Sequence, residues 1–122
     1  MTLTRTGART VASDAGFEVQ EYFPYHLEYR EGSHTFRISA ELSNAPGTSI
    51  LLFYDAYDSH WQPPHRDDAL ADATVRTILV RVIAVMLFLR IHVDWQTHPP
   101  DAERDDWDAI ESEARALLQR TI

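Results

Sequence analysis

The most informative absence in this sequence is cysteine. With no Cys among the 122 residues, disulfide bonds, thiolate metal ligands and cysteine nucleophiles are all excluded. Glycine is scarce at four residues, which leaves little material for a glycine-rich phosphate-binding loop. Lysine does not occur, so all 11 basic side chains are arginine. The chain therefore lacks the parts of several common catalytic and cofactor-binding sites.

A long hydrophobic run is also missing. The longest apolar stretch, residues 83–89, is far shorter than the ~20 residues that span a bilayer, and Arg81 and Arg90 flank it. Near the N-terminus, Arg5 and Arg9 are not followed by the apolar segment of a secretory signal. We therefore expect a cytoplasmic protein that does not insert into a membrane.

Negative charge is what the sequence has in excess. Nineteen acidic residues against 11 basic ones give a formal net charge of −8. This sign opposes binding to a nucleic-acid backbone or to an anionic membrane surface, because both require clustered cationic side chains. It suits a cationic partner protein, since an acidic surface speeds the encounter. The alternative is that the charge only keeps the domain soluble.

The domain organisation follows from length and from where periodicity begins. Residues 1–16 are rich in Thr, Ala, Gly and Arg without a clear period, which predicts a flexible N-terminal arm. Residues 17–122 are enough for a single domain, and 44% apolar content supplies its core.

Period-two patterns predict the strands of that domain. Apolar and polar residues alternate over residues 25–30 and 36–42, on either side of a turn at Glu31-Gly32-Ser33, which is typical of a hairpin. Residues 50–54 are apolar at every position, which predicts a central strand. Residues 17–23 and 91–95 show shorter alternation and predict further strands.

Helical periodicity appears twice in the second half. From Asp72, a plausible N-cap, apolar residues recur at i, i+3 and i+4, which predicts an amphipathic helix. A second helix is predicted after Asp101, with acidic residues near its start and Arg115 and Arg120 near its end. The expected fold is α+β, with a small antiparallel sheet of three to five strands and two helices packed on one face.

The connection over residues 55–68 has the most unusual composition, and three hypotheses compete for it. Its aspartates and histidines could bind zinc or iron through Asp55, Asp58, His60 and His65, but their spacing matches no compact ligand motif. A histidine paired with an aspartate could act as an acid–base, but no nucleophile elbow or H-E-x-x-H motif accompanies it. We therefore expect no metal, no cofactor and no enzymatic activity.

The third hypothesis is a protein-binding loop. Trp and Tyr are common interface anchors, because they bury a large area at a small cost in rotamer entropy. The alternative is that the tryptophan caps the core and the aspartates solvate the loop. His26 and His34, outside this loop, are interpreted as ordinary surface residues. The predicted partner-binding residues are Asp55, Tyr57, Asp58, His60, Trp61, Arg66, Asp67 and Asp68.

Several features in chain order give the sequence a family resemblance over about residues 25–95. They are a tyrosine-containing strand before Glu31-Gly32, a strand ending in Ser39-Ala40-Glu41-Leu42, the run Ile50–Asp55, the pair Trp61 and Pro63, and a helix with Arg76, Ile78, Leu79 and Val82. This pattern resembles small immunity proteins encoded beside bacterial polymorphic toxins, including those of contact-dependent inhibition.

The resemblance implies a toxin inhibitor. Proteins of this kind bind a cognate intracellular toxin, often a nuclease, and occlude its active site or an essential neighbouring surface. A basic toxin would also match the acidic charge of this chain. Two alternatives stay open: a small metal-dependent enzyme or metal-binding domain that uses the 55–68 loop, and a structural adaptor subunit.

Overall fold

The computed structural model describes residues 1–22, 26–43, 50–55, 59–98 and 104–120. In this part of the chain the fold is α+β, as predicted, but seven strands replace the expected three to five. The elements are β1 Leu3–Gly7, β2 Thr10–Ser13, β3 Phe17–Tyr22, β4 His26–Glu31, β5 His34–Leu42, β6 Ile50–Asp55, α1 Asp72–Phe88, β7 Val93–His98 and α2 Arg104–Gln119.

The strands form one sheet in sequence order. From β1 to β6 each strand pairs antiparallel with the next, while β6 and β7 pair in parallel, with Leu52 opposite Trp95. A parallel pair needs a long crossover, and α1 supplies it between these two strands. The predicted β4–β5 hairpin is confirmed, with Glu31 opposite His34 and Gly32 at φ 60° in its turn.

The predicted flexible arm over residues 1–16 is wrong, because β1 and β2 belong to the sheet. Val11 pairs with Val19 of β3 and is 1% exposed. Leu3 is also buried, whereas Arg5 lies on the same face and donates to the carbonyl of Ala8. Arg5 is a charged residue on the core side of an edge strand, so it interrupts the alternation of apolar and polar residues along β1. For this reason the sequence pattern does not predict the strand.

One face of the sheet carries the hydrophobic core. Its buried side chains come from every strand between β1 and β6: Leu3, Val11, Phe17, Val19, Leu27, Tyr29, Phe36, Ile38, Ala40, Ile50 and Leu52. Both helices contact this face. The Arg81 guanidinium of α1 lies 4.7 Å from the centroid of the Phe17 ring, and Trp107 of α2 stacks on Trp95 at 4.1 Å.

Helix α1 is more deeply buried than an amphipathic surface helix. Buried residues occur all around it, including Val80, Val82 and Ala84, since both the sheet and α2 pack against it. The prediction of Asp72 as its N-cap is wrong by one residue, because Ala71 takes that position without a side-chain cap. Asp101, predicted to cap the last helix, lies outside the described residues. No helix in the described ranges is both long and apolar enough to cross a lipid bilayer.

Candidate functional site

The loop between β6 and α1 is attached to the sheet from Ser59 onward. Trp61 packs edge-on against the ring of Phe36 and against His34, with ring centroids 6.5 and 4.9 Å apart. The backbone N–H of Gln62 donates to the carbonyl of Thr35 in β5 at 2.8 Å. Because a side chain and a backbone bond both hold the loop, its position relative to the strand is well determined.

This attachment corrects part of the predicted interface. Trp61 is only 7% exposed and belongs to the hydrophobic core, so it caps the core and is not an accessible anchor for a partner. Asp55 ends β6, and its side chain lies outside the described residues. Tyr57 and Asp58 lie outside them as well. The accessible predicted residues in the described part of the loop are His60, Arg66, Asp67 and Asp68.

His60 and Arg66 bind each other. Arg66 Nη1 lies 2.8 Å from His60 Nε2, and His60 Nδ1 lies 2.8 Å from the carbonyl oxygen of Trp61. A guanidinium can only donate and a carbonyl can only accept, so in these two contacts Nε2 accepts and Nδ1 donates. Both ring nitrogens are therefore engaged, which argues against the predicted combination of His60 with aspartates as metal ligands.

A second group joins this loop to the β4–β5 hairpin, and we call it the His–Asp cluster: His34, His65 and Asp68. His34 Nε2 lies 2.7 Å from Asp68 Oδ2, and His65 Nδ1 lies 3.1 Å from the same oxygen. The two imidazole rings stack with their centroids 3.9 Å apart. One carboxylate oxygen thus accepts from two histidines that are 31 residues apart in the sequence.

Backbone turns bring the two loop members of this cluster together. The N–H of His65 donates to the carbonyl of Gln62, and the N–H of Asp68 donates to the carbonyl of His65, each at 3.0 Å. This i, i+3 turn places the imidazole and the carboxylate side by side. His34 completes the cluster because β5 begins at that residue, directly after the hairpin turn.

The electrostatics of the cluster favour an ionised aspartate. The hydrogen bond from His34, followed by the one from His65, holds the pKa of the Asp68 carboxyl below its usual value. Asp68 itself is exposed, with 51% of its side-chain surface accessible, so solvent screens these interactions. The cluster is consequently open on one side and has little effect on the core.

His34 belongs to the cluster, although the sequence led us to interpret it as an ordinary surface residue. The local signal available was His65-x-x-Asp68, a spacing that one turn brings together. No signal in the local sequence connects His34 to that pair, since the contact depends on the path of the whole chain between them.

A different polar cluster lies on the sheet face opposite the core, and we call it the Glu28 cluster. Glu28 accepts from Arg37 at 2.8 Å and from Arg30 at 3.1 Å, with His26 at 3.6 Å. Arg30 also donates to Glu18 at 2.6 Å and to Gln20 at 2.8 Å. Neighbouring strands β3, β4 and β5 supply all of these groups. The cluster links the strands and holds its charges in pairs.

Comparisons of the chain with protein-family models, with characterised proteins and with solved structures find no match.

Proposed function

We propose that this domain is an immunity protein, which binds and neutralises a cognate bacterial toxin with a cationic surface. The observation that carries the proposal is the way charge is distributed over the surface. Net charge alone describes the whole chain, whereas a partner meets the charges that remain free of internal pairing.

Of the 11 arginines, five in the described part of the chain are paired with carboxylates inside the protein. These five, each within 4.0 Å of a carboxylate, are Arg30, Arg37, Arg76, Arg81 and Arg115. In contrast, several exposed carboxylates make no ion pair with any described residue: Glu41, Asp67, Asp72, Asp94 and Asp108. These five cationic side chains are thus neutralised locally, and the unpaired carboxylates add to a net charge of −8, which favours a basic partner.

The segment of residues 63–69 is the best surface for that partner. Pro63, Pro64, Arg66, Asp67 and Asp68 are exposed there. The buried Trp61 and the turn bonds hold the segment in place. A preorganised loop loses little conformational entropy on binding, so more of its contact energy contributes to affinity.

The mechanism of such an inhibitor is occlusion. If the toxin is a nuclease, its active site attracts phosphates through cationic groups, and exposed carboxylates can occupy the same positions. The inhibitor needs no chemistry of its own, because a complex that covers the active site or an essential neighbouring surface excludes the substrate.

The test is co-expression with the product of the neighbouring toxin gene, followed by titration calorimetry of the purified pair for stoichiometry and stopped-flow fluorescence for the association rate. We expect rescue of growth and a 1:1 complex whose association slows as salt is added. Asp67→Lys should lower the association rate by about tenfold or more, because it reverses a charge at the proposed surface.

The matched control is Asp94→Lys, which makes the same charge change at an exposed position on β7. It should leave the association rate within about twofold, allowing only for the change in net charge. Failure of the two proteins to form a complex would contradict the proposal, and equal effects of both variants would contradict the proposed surface.

A further inference from the structure

We infer that the His–Asp cluster of His34, His65 and Asp68 is a binding site for a divalent transition-metal ion, for which Zn²⁺ is the best match. This inference does not depend on the proposed function, since it concerns the isolated domain. It differs from the site considered from sequence, because His65 is kept while His34 and Asp68 take the place of Asp55, Asp58 and His60.

The chemistry of the donor atoms selects the class of ion. Two imidazole nitrogens and one carboxylate oxygen form a set that suits Zn²⁺ and its first-row neighbours, whereas Ca²⁺ and Mg²⁺ prefer oxygen ligands alone. Three protein ligands also leave a fourth tetrahedral position, which water or a partner group can fill.

The geometry of the cluster is close to what coordination requires. One potential ligand atom from each of the three residues lies within 4.8 Å of the other two. Zinc bonds of ~2.0–2.2 Å place tetrahedral ligand atoms about 3.3 Å apart. The two contacts to Asp68 Oδ2 are 2.7 and 3.1 Å and the rings stack at an interplanar angle of 28°, so an outward movement of the carboxylate together with a rotation of one ring would bring the three donor atoms onto one ion.

The surroundings support the ligands before an ion binds. The ring of His34 packs against Trp61, which is buried, and it stacks on His65, so both imidazoles are held by ring contacts. The turn from Gln62 to Asp68 holds the other two ligands on the same side. Such support raises metal affinity, since less ordering is left for the binding step.

Access to the site is open. The two imidazoles keep about a third of their side-chain surface exposed, at 31% for His34 and 28% for His65. An ion can therefore reach the nitrogens from solvent without unfolding the loop. Binding would also tie the loop to the hairpin and raise the melting temperature of the protein.

The experiment is titration of the chelator-treated protein with zinc chloride by calorimetry, with cobalt chloride as a spectroscopic probe. We expect one saturable site, a rise in melting temperature with added zinc and d–d absorption from bound cobalt. Asp68→Asn and His65→Ala should each weaken zinc binding by at least about tenfold, since even outer-shell changes cost that much.

Matched controls distinguish this site from general binding to acidic or histidine side chains. Asp67→Asn removes the adjacent exposed carboxylate, and His92→Ala removes an exposed histidine located before β7. Both should bind zinc like the unmodified protein. Asp68→Asn is nearly isosteric and keeps the test valid if His65→Ala does not fold. Absence of saturable zinc binding, or unchanged binding in Asp68→Asn, would overturn the inference.

Discussion

Two polar clusters lie on this sheet, and they are built differently. In the Glu28 cluster a carboxylate with only 13% of its side chain exposed is bonded to two arginines from paired strands. In the His–Asp cluster a half-exposed carboxylate contacts two histidines from distant parts of the chain. The first leaves no charge unsatisfied and stabilises the sheet. The second brings together imidazole and carboxylate groups that can bind a metal ion in place of their hydrogen bonds to each other.

Removing the central carboxylate of the Glu28 cluster should have the largest effect on stability. Glu28→Gln should lower the free energy of unfolding by about 2 kcal/mol, because Arg30 and Arg37 lose an ionised partner in a half-buried position. Urea denaturation measures this change. Glu41→Gln, an exposed position on β5, is the control and should change stability by less than about 0.5 kcal/mol. Similar values for both variants would show that the cluster does not stabilise the sheet.

A polar contact on the core face of the sheet should contribute an amount of stability between those of the two clusters. The hydroxyl of Tyr29 donates to Glu31 at 2.6 Å and accepts from Arg81 of α1 at 2.7 Å. Tyr29→Phe should lower the free energy of unfolding by about 1 kcal/mol, because both hydrogen bonds of the hydroxyl are lost while the ring stays packed.

The same residue gives an alkaline signature. Burial, followed by the hydrogen bond to Glu31, raises the pKa of Tyr29 from 10.0 to about 12. Because the pKa of Tyr29 is higher in the folded than in the unfolded protein, the protonated hydroxyl stabilises the fold fully at pH values below the unfolded-state pKa of 10.0. This stabilisation is lost as the pH rises toward 12. Phenol absorbance should show a late titration step that Tyr29→Phe removes. Persistence of the late step in that variant would contradict the assignment.

The smallest effect is expected for the His–Asp cluster without metal. Asp68→Asn should leave stability at neutral pH nearly unchanged, because an exposed carboxylate contributes little. Since the pKa of Asp68 is lowered, its contribution is present above the ordinary value of 3.8 and is lost as pH falls through the folded value. Thermal melts from neutral to acidic pH should therefore converge for the two proteins. A large neutral-pH loss in Asp68→Asn would mean that this cluster is structural like the Glu28 cluster.

Local patterns accounted for the middle of the sheet and for the presence of both helices. Alternation on both sides of Gly32 identified β4 and β5, and helical spacing identified α1. The number of strands was underestimated because β1 and β2 are short and carry Arg5 on the core side. Pairing of β1 with β2 and of β2 with β3 overrides a weak local pattern, and the sequence of residues 1–16 does not show that β3 is available as a partner.

The candidate site was predictable only in part. The unusual composition of the 55–68 loop drew attention to the right segment, and His65 and Asp68 are members of the cluster found there. Trp61 was assigned to the surface interface because a tryptophan in a polar loop has two plausible positions. In the structure the Trp61 ring is buried against Phe36, because burial of this large apolar side chain is favourable.

The sequence by itself determined the properties that are local or additive. A net charge of −8 is a sum over residues, the absence of thiols is a matter of composition, and the hairpin follows from period-two alternation about a glycine turn. The tertiary structure decided which distant groups meet. His34 lies beside His65 and Asp68 only because the chain completes β5 and β6 and returns beside the first residues of β5, where Gln62 bonds to Thr35. Contacts of this kind depend on the whole path of the chain, and local physical chemistry does not encode that path residue by residue.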